Sequence, residues 1–199
     1  PKYRVTGRPV PDRKPVSREE ARAAFDLPAD GPVLLVAGGS QGAQALNDFA
    51  VATWGDSGPA VLHLCGQRYL DDLAGRVTRA DYRLLPYVDD FGAAATAADL
   101  TVSRAGGTVW ELAAVGAPAI LVPSPNVTAD HQTLNARHFE RGSGAIVVPE
   151  PQLPRVATIV EELLSSPERL ASMRTAMLAM ARPHAADEIA EELMALARR

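Results

Sequence analysis

Two short glycine-rich segments carry the residue types and spacing best suited to chemistry in this sequence. They read GGSQGA at residues 38–43 and SRAGGT at residues 103–108, and each follows an apolar run and leads into a helical pattern. Glycines let the backbone approach a ligand closely, and the free N–H groups at the start of a helix favour a negatively charged group. If the two segments lie side by side, they would clamp a diphosphate.

Short buried strands that alternate with helices are the elements that must hold these segments. Apolar runs predict strands at residues 32–37, 60–65, 82–86, 100–103, 119–122 and 145–148. Helical patterns are predicted from 17 to about 27, from about 43, and at 67–77, 91–98, 108–115 and 128–141, with further helices to 199. Capping signals support two helix starts, at Ser17 and at Ser166-Pro167-Glu168. The alternation predicts an α/β fold with a doubly wound, parallel, six-stranded Rossmann-like sheet.

The strand order decides whether the two glycine-rich segments meet. In the common order 3-2-1-4-5-6, the first and fourth strands are neighbours whose connections leave in opposite directions. The crevice at their carboxyl ends is then the expected ligand site. We assume this order, so the diphosphate clamp is a hypothesis that depends on it.

The first segment also fits a different class of site. GGSQG at residues 38–42 matches the G-x-S-x-G nucleophile elbow of serine hydrolases, with Ser40 as the nucleophile. The remaining catalytic groups would be Asp99 or Asp130, and His131 or His184. The elbow would follow the first core strand, which is early for that fold. A dinucleotide oxidoreductase fits less well, because the segment lacks the G-x-G-x-x-G spacing.

Several candidate residues also have purely structural interpretations. Thr108 and Glu111 match a capping box, so Glu111 could serve only its own helix. Arg104 could be a surface side chain, His63 within a strand is expected to be a core histidine, and Trp110 is expected in the core. The pattern alone leaves these alternatives open.

Composition restricts the classes of function. The 199 residues suffice for one sizeable domain, and no apolar run approaches the length of a membrane span. The first thirty residues carry prolines and charges where a signal peptide needs an apolar stretch, so we expect a cytoplasmic protein. A formal charge of −4 without a basic cluster argues against nucleic-acid binding. Cys65 is the single cysteine, and no metal-binding motif is present, so we expect neither a metal nor a cofactor.

Five blocks taken together resemble the carboxyl-terminal half of the MurG family. They are VTGRPV at 5–10, LLVAGGSQGAQALN at 34–47, LPYVDD at 85–90, ADLTVSRAGGTVWELAAVGAPAILVPSP at 98–125 and DHQTLNA at 130–136. Members of that family transfer N-acetylglucosamine from UDP-N-acetylglucosamine to lipid I, which gives lipid II for peptidoglycan. The resemblance implies the carboxyl-terminal domain of a glycosyltransferase-B fold and a metal-independent, inverting hexosyltransferase. A related glycosyltransferase-B enzyme, such as a glycolipid synthase, would share these blocks.

The resemblance also implies roles for individual residues. Ser40 would contact the diphosphate, Val88 would meet the uracil through its backbone, and Glu111 would accept hydrogen bonds from the ribose hydroxyls. Backbone N–H groups of the second segment would face phosphate, and Gln132 would contact the sugar. The full set of expected donor-binding residues is Gly39, Ser40, Gly42, Val88, Arg104, Gly106, Gly107, Thr108, Glu111 and Gln132.

The sequence departs from the family in its first block, and its loop at residues 104–111 is one residue shorter than in several relatives. Many members carry G-N-P-V-R, with the arginine near the nucleotide, where this chain has Gly7-Arg8-Pro9-Val10-Pro11. Pro11 stands in the place of that arginine, so Arg8 or Arg13 would have to substitute for it. The family's amino-terminal half, with the acceptor site and the catalytic base, is also missing. We therefore expect residues 1–15 to be an interdomain connection cut at Pro1, and residues 16–199 to be the donor-binding domain. Alone, this domain would bind the donor without catalysing transfer, whereas the full-length enzyme would lie on the inner face of the plasma membrane.

Overall fold

The computed structural model describes residues 6–12, 14–125, 127 and 130–198. The strands are β1 (Val33–Ala37), β2 (Ala60–Leu64), β3 (Tyr82–Leu85), β4 (Leu100–Ser103), β5 (Ala119–Leu121) and β6 (Ala145–Val147). The helices are α1 (Arg18–Ala24), α2 (Gln44–Trp54), α3 (Leu70–Ala74), α4 (Phe91–Ala97), α5 (Thr108–Ala114), α6 (His131–Arg141), α7 (Arg155–Leu164), α8 (Pro167–Met180) and α9 (Ala185–Ala197).

All neighbouring strands pair in parallel, in the order β3-β2-β1-β4-β5-β6. The predicted α/β class, the parallel six-stranded sheet and the assumed strand order are therefore confirmed. Strand β1 lies between β2 and β4, and its last residue, Ala37, pairs with Ser103 at the end of β4. The carboxyl ends of the first and fourth strands consequently share one edge of the sheet.

Helices cover both faces of the sheet, which explains why its central strands are continuously apolar. Alternate residues of β1 point to opposite faces, so Leu35 belongs to a core with α4 and α5 whereas Leu34 belongs to one with α2 and α7. Every residue of β1, β2 and β4 is buried. Because both faces are filled, the ligand-accessible surface of this sheet is its carboxyl edge.

Local sequence signals predicted some helix boundaries correctly and others wrongly. The capping box at Ser17 is present, and α8 begins at Pro167 as predicted. The helix predicted over 67–77 is instead a 3₁₀ turn followed by the short α3, because glycines lie at both ends of that stretch. Residues 1–5, 13, 126, 128, 129 and 199 lie outside the described part, so the predicted extended start and the start of a helix at 128 are covered only in part. None of the described helices is both long and apolar enough to cross a membrane.

Candidate donor-binding site

The two glycine-rich segments meet at the crevice between β1 and β4. The N–H of Arg104, just beyond β4, donates to the carbonyl oxygen of Ala37 at 3.1 Å, so the chain leaves the two strands side by side. The first segment then continues into α2 and the second into α5. The meeting of the segments, which the sequence could only assume, is present in the fold.

The first segment is a tight turn pressed against the end of β2. Gly39 and Gly42 have φ of +85° and +71°, where side chains are disfavoured, and the N–H of Gly42 donates to the Gly39 carbonyl at 2.9 Å. A methyl group added at Gly42 would overlap the carbonyl oxygen of Cys65. Ser40, at the outer side of this turn, is exposed. The turn is therefore fixed from behind and leaves the Ser40 hydroxyl accessible.

A buried hydrogen-bond chain supports the turn from within. Asn47, in the first turn of α2, donates from Nδ2 to the carbonyl oxygen of Cys65 at 2.8 Å. Its Oδ1 lies 3.0 Å from His63 Nε2, and His63 Nδ1 lies 2.8 Å from the Tyr82 hydroxyl. Since Asn47 Oδ1 can only accept, the proton of neutral His63 is assigned to Nε2, and Tyr82 donates to Nδ1. The chain thus ties α2, β2 and β3 together directly behind the turn.

Burial decides the charge state of this hydrogen-bond chain. It lowers the pKa of His63 to about 3, and it raises the pKa of the Cys65 thiol. The Tyr82 hydroxyl is also mostly buried, and its pKa is raised by desolvation. His63 is neutral near pH 7 and fully buried, which agrees with the expectation of a core histidine and gives it no route to a substrate.

The second segment corrects the capping-box interpretation of Glu111. Helix α5 begins at Thr108, with Gly107 as the preceding residue, so Thr108 is the first helical residue and not the N-cap. A capping box needs its Ser or Thr at the N-cap, in extended conformation. The interpretation that Glu111 serves only as a cap partner for Thr108 is wrong. Glu111 instead lines the crevice.

The structure shows that Arg104 is buried, so the interpretation of Arg104 as a surface side chain is wrong. It is only 8% exposed, and its guanidinium donates to the carbonyl oxygen of Val122 at 3.2 Å and forms an ion pair with Glu150. These contacts connect the end of β4 to the segments that follow β5 and β6. Arg104 is absent from the residues that line the cleft. Its expected role in donor binding stays a prediction.

A cleft with a cavity volume of about 240 Å³ opens at this edge of the sheet. Among the expected residues, Gly39, Ser40, Val88, Thr108 and Glu111 line it. The sequence analysis missed the other lining residues, which are Pro11, Ala37, Leu64, Pro86, Tyr87, Asp89 and Phe91. Four of these lie in or next to the PYVDD block, so that motif was the signal that could have found them.

The expected sugar contact, Gln132, lies on the first turn of α6 beyond the cleft lining. Its Oε1 accepts a hydrogen bond from the N–H of Ser124 at 2.9 Å, which leaves its amide nitrogen as a donor. Three residues further along α6, Asn135 donates to the Ala105 carbonyl at 3.1 Å. Helix α6 is thus joined both to the segment after β5 and to the second glycine-rich segment.

The serine hydrolase interpretation fails on geometry. Asp99 precedes β4, at the edge of the sheet opposite Ser40, and its carboxylate accepts from the N–H of Val33 at 2.8 Å and from Arg22 at 2.9 Å. Ser40 is not among the described non-glycine residues with positive φ, so the strained turn of an elbow is absent. No histidine lines the cleft in the described part of the chain. Within the same ranges, no group of three or more His, Cys, Asp or Glu side chains is arranged to hold a metal ion.

Comparison with known proteins agrees with this geometry. Residues 33–189 match the family described as "Glycosyltransferase family 28 C-terminal domain". The chain is 44% identical over 188 residues to the UDP-N-acetylglucosamine–N-acetylmuramyl-(pentapeptide) pyrophosphoryl-undecaprenol N-acetylglucosamine transferase of Salinibacter ruber, covering 91% of this chain and 51% of that protein. It is 40% identical over 201 residues to the enzyme of the same name from Solidesulfovibrio magneticus, covering 92% and 55%. The chain therefore spans about half the length of these curated relatives.

Solved structures give the same relationship for the fold. The crystal structure of Acinetobacter baumannii MurG superposes with a TM-score of 0.74 at 28% identity, covering 83% of this chain and 52% of that one. The calicheamicin glycosyltransferase CalG4 superposes with a TM-score of 0.62 at 24% identity, which shows the fold alone.

Proposed function

The chain belongs to the glycosyltransferase family 28 C-terminal domain family, and from that premise we propose that it is the donor-binding half of an N-acetylglucosaminyltransferase. Its donor is UDP-N-acetylglucosamine, and the acceptor of the whole enzyme is lipid I, which becomes lipid II. The observation that carries this proposal is the extent of the family match. Residues 33–189 include both glycine-rich segments, Val88 and Glu111, so every lining residue of the cleft except Pro11 falls within the match.

The cleft supplies the kinds of group that a uridine diphosphate sugar needs. The Ser40 hydroxyl and the N–H groups of Gly106, Gly107 and Thr108 are donors for the diphosphate oxygens. The Val88 backbone offers one donor and one acceptor for the edge of the uracil ring. A carboxylate suits a ribose diol because it accepts from both hydroxyls, and Glu111 takes this role. The amide nitrogen of Gln132 is available for the sugar.

The reaction of the whole enzyme is a direct displacement. The acceptor hydroxyl loses its proton to a base and attacks the anomeric carbon, while the bond from that carbon to the UDP oxygen breaks and the configuration inverts. Fixed donors around the cleft stabilise the charge that develops on the departing diphosphate, so the step needs no metal ion. We expect the base and the acceptor site in the half that this chain does not contain.

The organisation of the parent enzyme follows from the same proposal. Residues 16–199 form the donor-binding domain, and residues 1–15 connect it to an amino-terminal acceptor domain. An undecaprenyl-linked acceptor resides in a membrane, so the acceptor half brings the enzyme to the inner face of the plasma membrane. The donor half faces the cytoplasm.

Calorimetric titration of the 199-residue chain tests the proposal. UDP-N-acetylglucosamine and UDP should both bind, and NAD, an unrelated dinucleotide with a diphosphate, should not. Tighter binding of another UDP-sugar would indicate a related enzyme with a different donor, such as a glycolipid synthase. Absence of binding to UDP, or equal affinity for NAD, would remove the support for a donor site.

A further inference from the structure

The end of β2 lies between the two parts of the cleft that the proposed function assigns to the diphosphate and to the uracil. The N–H of Cys65 donates to the Leu85 carbonyl at 2.9 Å, and the N–H of Gly66 donates to the Pro86 carbonyl at 3.0 Å. Pro86 comes two residues before Val88, and both line the cleft. The end of β2 therefore holds the segment that is expected to contact the base.

On its other side, Gly66 presses against the first glycine-rich turn. Its φ is +88°, and a Cβ atom built on it would lie 2.6 Å from the carbonyl oxygen of Gln41 and 2.7 Å from the backbone nitrogen of Gly42. Both are backbone atoms, so no side-chain rotation could make room for a methyl group. Gly66 is also buried, which means that the turn and the Pro86 carbonyl are separated by the width of a glycine.

Two further contacts hold the turn against the end of β2. Gly42 packs in return against the Cys65 carbonyl, which would overlap a Cβ atom at position 42 and which accepts the hydrogen bond from Asn47. Tyr69 donates its N–H to the Gly66 carbonyl at 3.0 Å, and its Cδ2 atom would lie 2.9 Å from the same Cβ atom of position 42. The turn is thus confined from behind by a peptide group and from the side by a ring.

The distance between the turn and the segment after β3 matters for any ligand that must reach both. Gly39 and Ser40 line the cleft on the side of the turn, and Pro86 and Val88 line it on the other side. A nucleoside diphosphate joins its base to its phosphates through one ribose, so the separation of these groups has a narrow range. Two linked groups bind much more tightly than either alone only when both sites can be occupied at once.

We propose that Gly66 is a positioning residue that sets the separation between the diphosphate-binding turn and the uracil-binding segment, and that the Tyr69 ring confines the turn at that separation. This inference rests on the proposed function. Gly66 is not among the residues that line the cleft and has no side chain to offer a ligand, so it acts through the backbone on either side of it. A larger residue at position 66 moves the turn or Pro86, and the ligand then reaches one site but not both.

Fragments of the ligand separate this role from a general loss of structure. Gly66→Ala should weaken UDP binding roughly tenfold or more, while uridine and inorganic diphosphate, each titrated alone by NMR, bind about as in the wild type. Gly31→Ala is the matched control, because Gly31 has a φ of +83° and no atom within 4 Å of its Cβ position, and it precedes β1 at the opposite edge of the sheet. It introduces a similar backbone strain and should bind UDP normally.

The outcomes distinguish this inference from the proposed function. Unchanged UDP affinity in Gly66→Ala, or equal losses for UDP and uridine, would overturn the positioning role, because the first means that the spacing is not disturbed and the second that the cleft is disordered as a whole. A wild-type chain that failed to bind UDP would remove the proposed function itself.

Variants of Tyr69 test the same role even if Gly66→Ala does not fold. Tyr69→Ala removes the ring beside the turn without straining the backbone, so UDP binding should weaken several-fold and uridine binding should be retained. Tyr69→Phe keeps the ring and should restore the wild-type affinity for UDP. Wild-type UDP affinity in Tyr69→Ala, or the same loss in Tyr69→Phe as in Tyr69→Ala, would contradict the inference.

Discussion

Acidification should destabilise this protein through one buried residue, His63. Its pKa is about 3 in the folded chain and about 6.5 when exposed. The unfolded chain therefore takes up a proton as the pH falls below 6.5, while the folded chain does not, so the free energy of unfolding falls with the pH. Between pH 7.5 and pH 5.0 this difference in proton uptake lowers the free energy of unfolding by about 2 kcal/mol. That is a large fraction of the roughly 5–15 kcal/mol of a typical domain.

Urea denaturation at pH 7.5 and 5.0 measures this loss, with His63→Gln as the control. Glutamine can bond with Asn47 and Tyr82 but does not titrate, so the wild type should lose about 2 kcal/mol more than the variant between the two pH values. The three other histidines are exposed and are common to both chains, so their effects cancel in the difference. Should the variant fail to fold, NMR titration of the wild-type ring gives the same information. Equal losses in the two chains, or a ring protonated at pH 5 in the folded state, would refute the reasoning.

Two further predictions concern the cleft. Gly42→Ala and Gly39→Ala both place a methyl group at positive φ, which costs about 1–2 kcal/mol, but only the first also overlaps the Cys65 carbonyl. Thermal unfolding should therefore show a clearly larger loss of stability for Gly42→Ala, and equal losses would mean that the turn can move away from β2. Glu111→Ala should weaken binding of UDP by about tenfold and that of 2′,3′-dideoxy-UDP much less, because the carboxylate acts on the ribose hydroxyls. Equal losses for the two nucleotides in calorimetry would contradict that role.

Much of the fold could be predicted from the sequence because two local patterns determine it, the continuous apolar runs and their alternation with helical segments. Continuous apolar runs such as residues 33–37 indicate strands buried on both faces, and the alternation with helices then implies a parallel sheet. The glycines at 39 and 42 were also informative, because their positive φ is what the turn requires. The strand order had to be assumed, since it depends on contacts between distant segments, and the structure confirmed it.

The details of the site depended on contacts that no local pattern contains. The burial of Arg104 follows from Glu150, which is 46 residues away in sequence. The start of α5 at Thr108 depends on how the chain leaves β4, so a capping-box sequence was an insufficient guide there. The hydrogen bond from Asn135 to the Ala105 carbonyl joins residues 30 positions apart in sequence, and only the folded chain shows it.

The family resemblance is confirmed by the match over residues 33–189, but it identifies the relatives and not the contacts made by individual residues. The donor-binding roles of Ser40, Val88, Glu111 and Gln132 remain predictions. They are specific enough to be tested together, because each assigns a different part of one ligand to a different side of the cleft.

A crystal structure of the chain with UDP-N-acetylglucosamine is the most direct test of the central claim. The account predicts uracil at the backbone of Val88, the ribose at Glu111, and the diphosphate between Ser40 and the segment that contains Gly107. The sugar should extend towards Gln132. Density for the nucleotide elsewhere on the chain, or in this cleft with the diphosphate away from both glycine-rich segments, would contradict it.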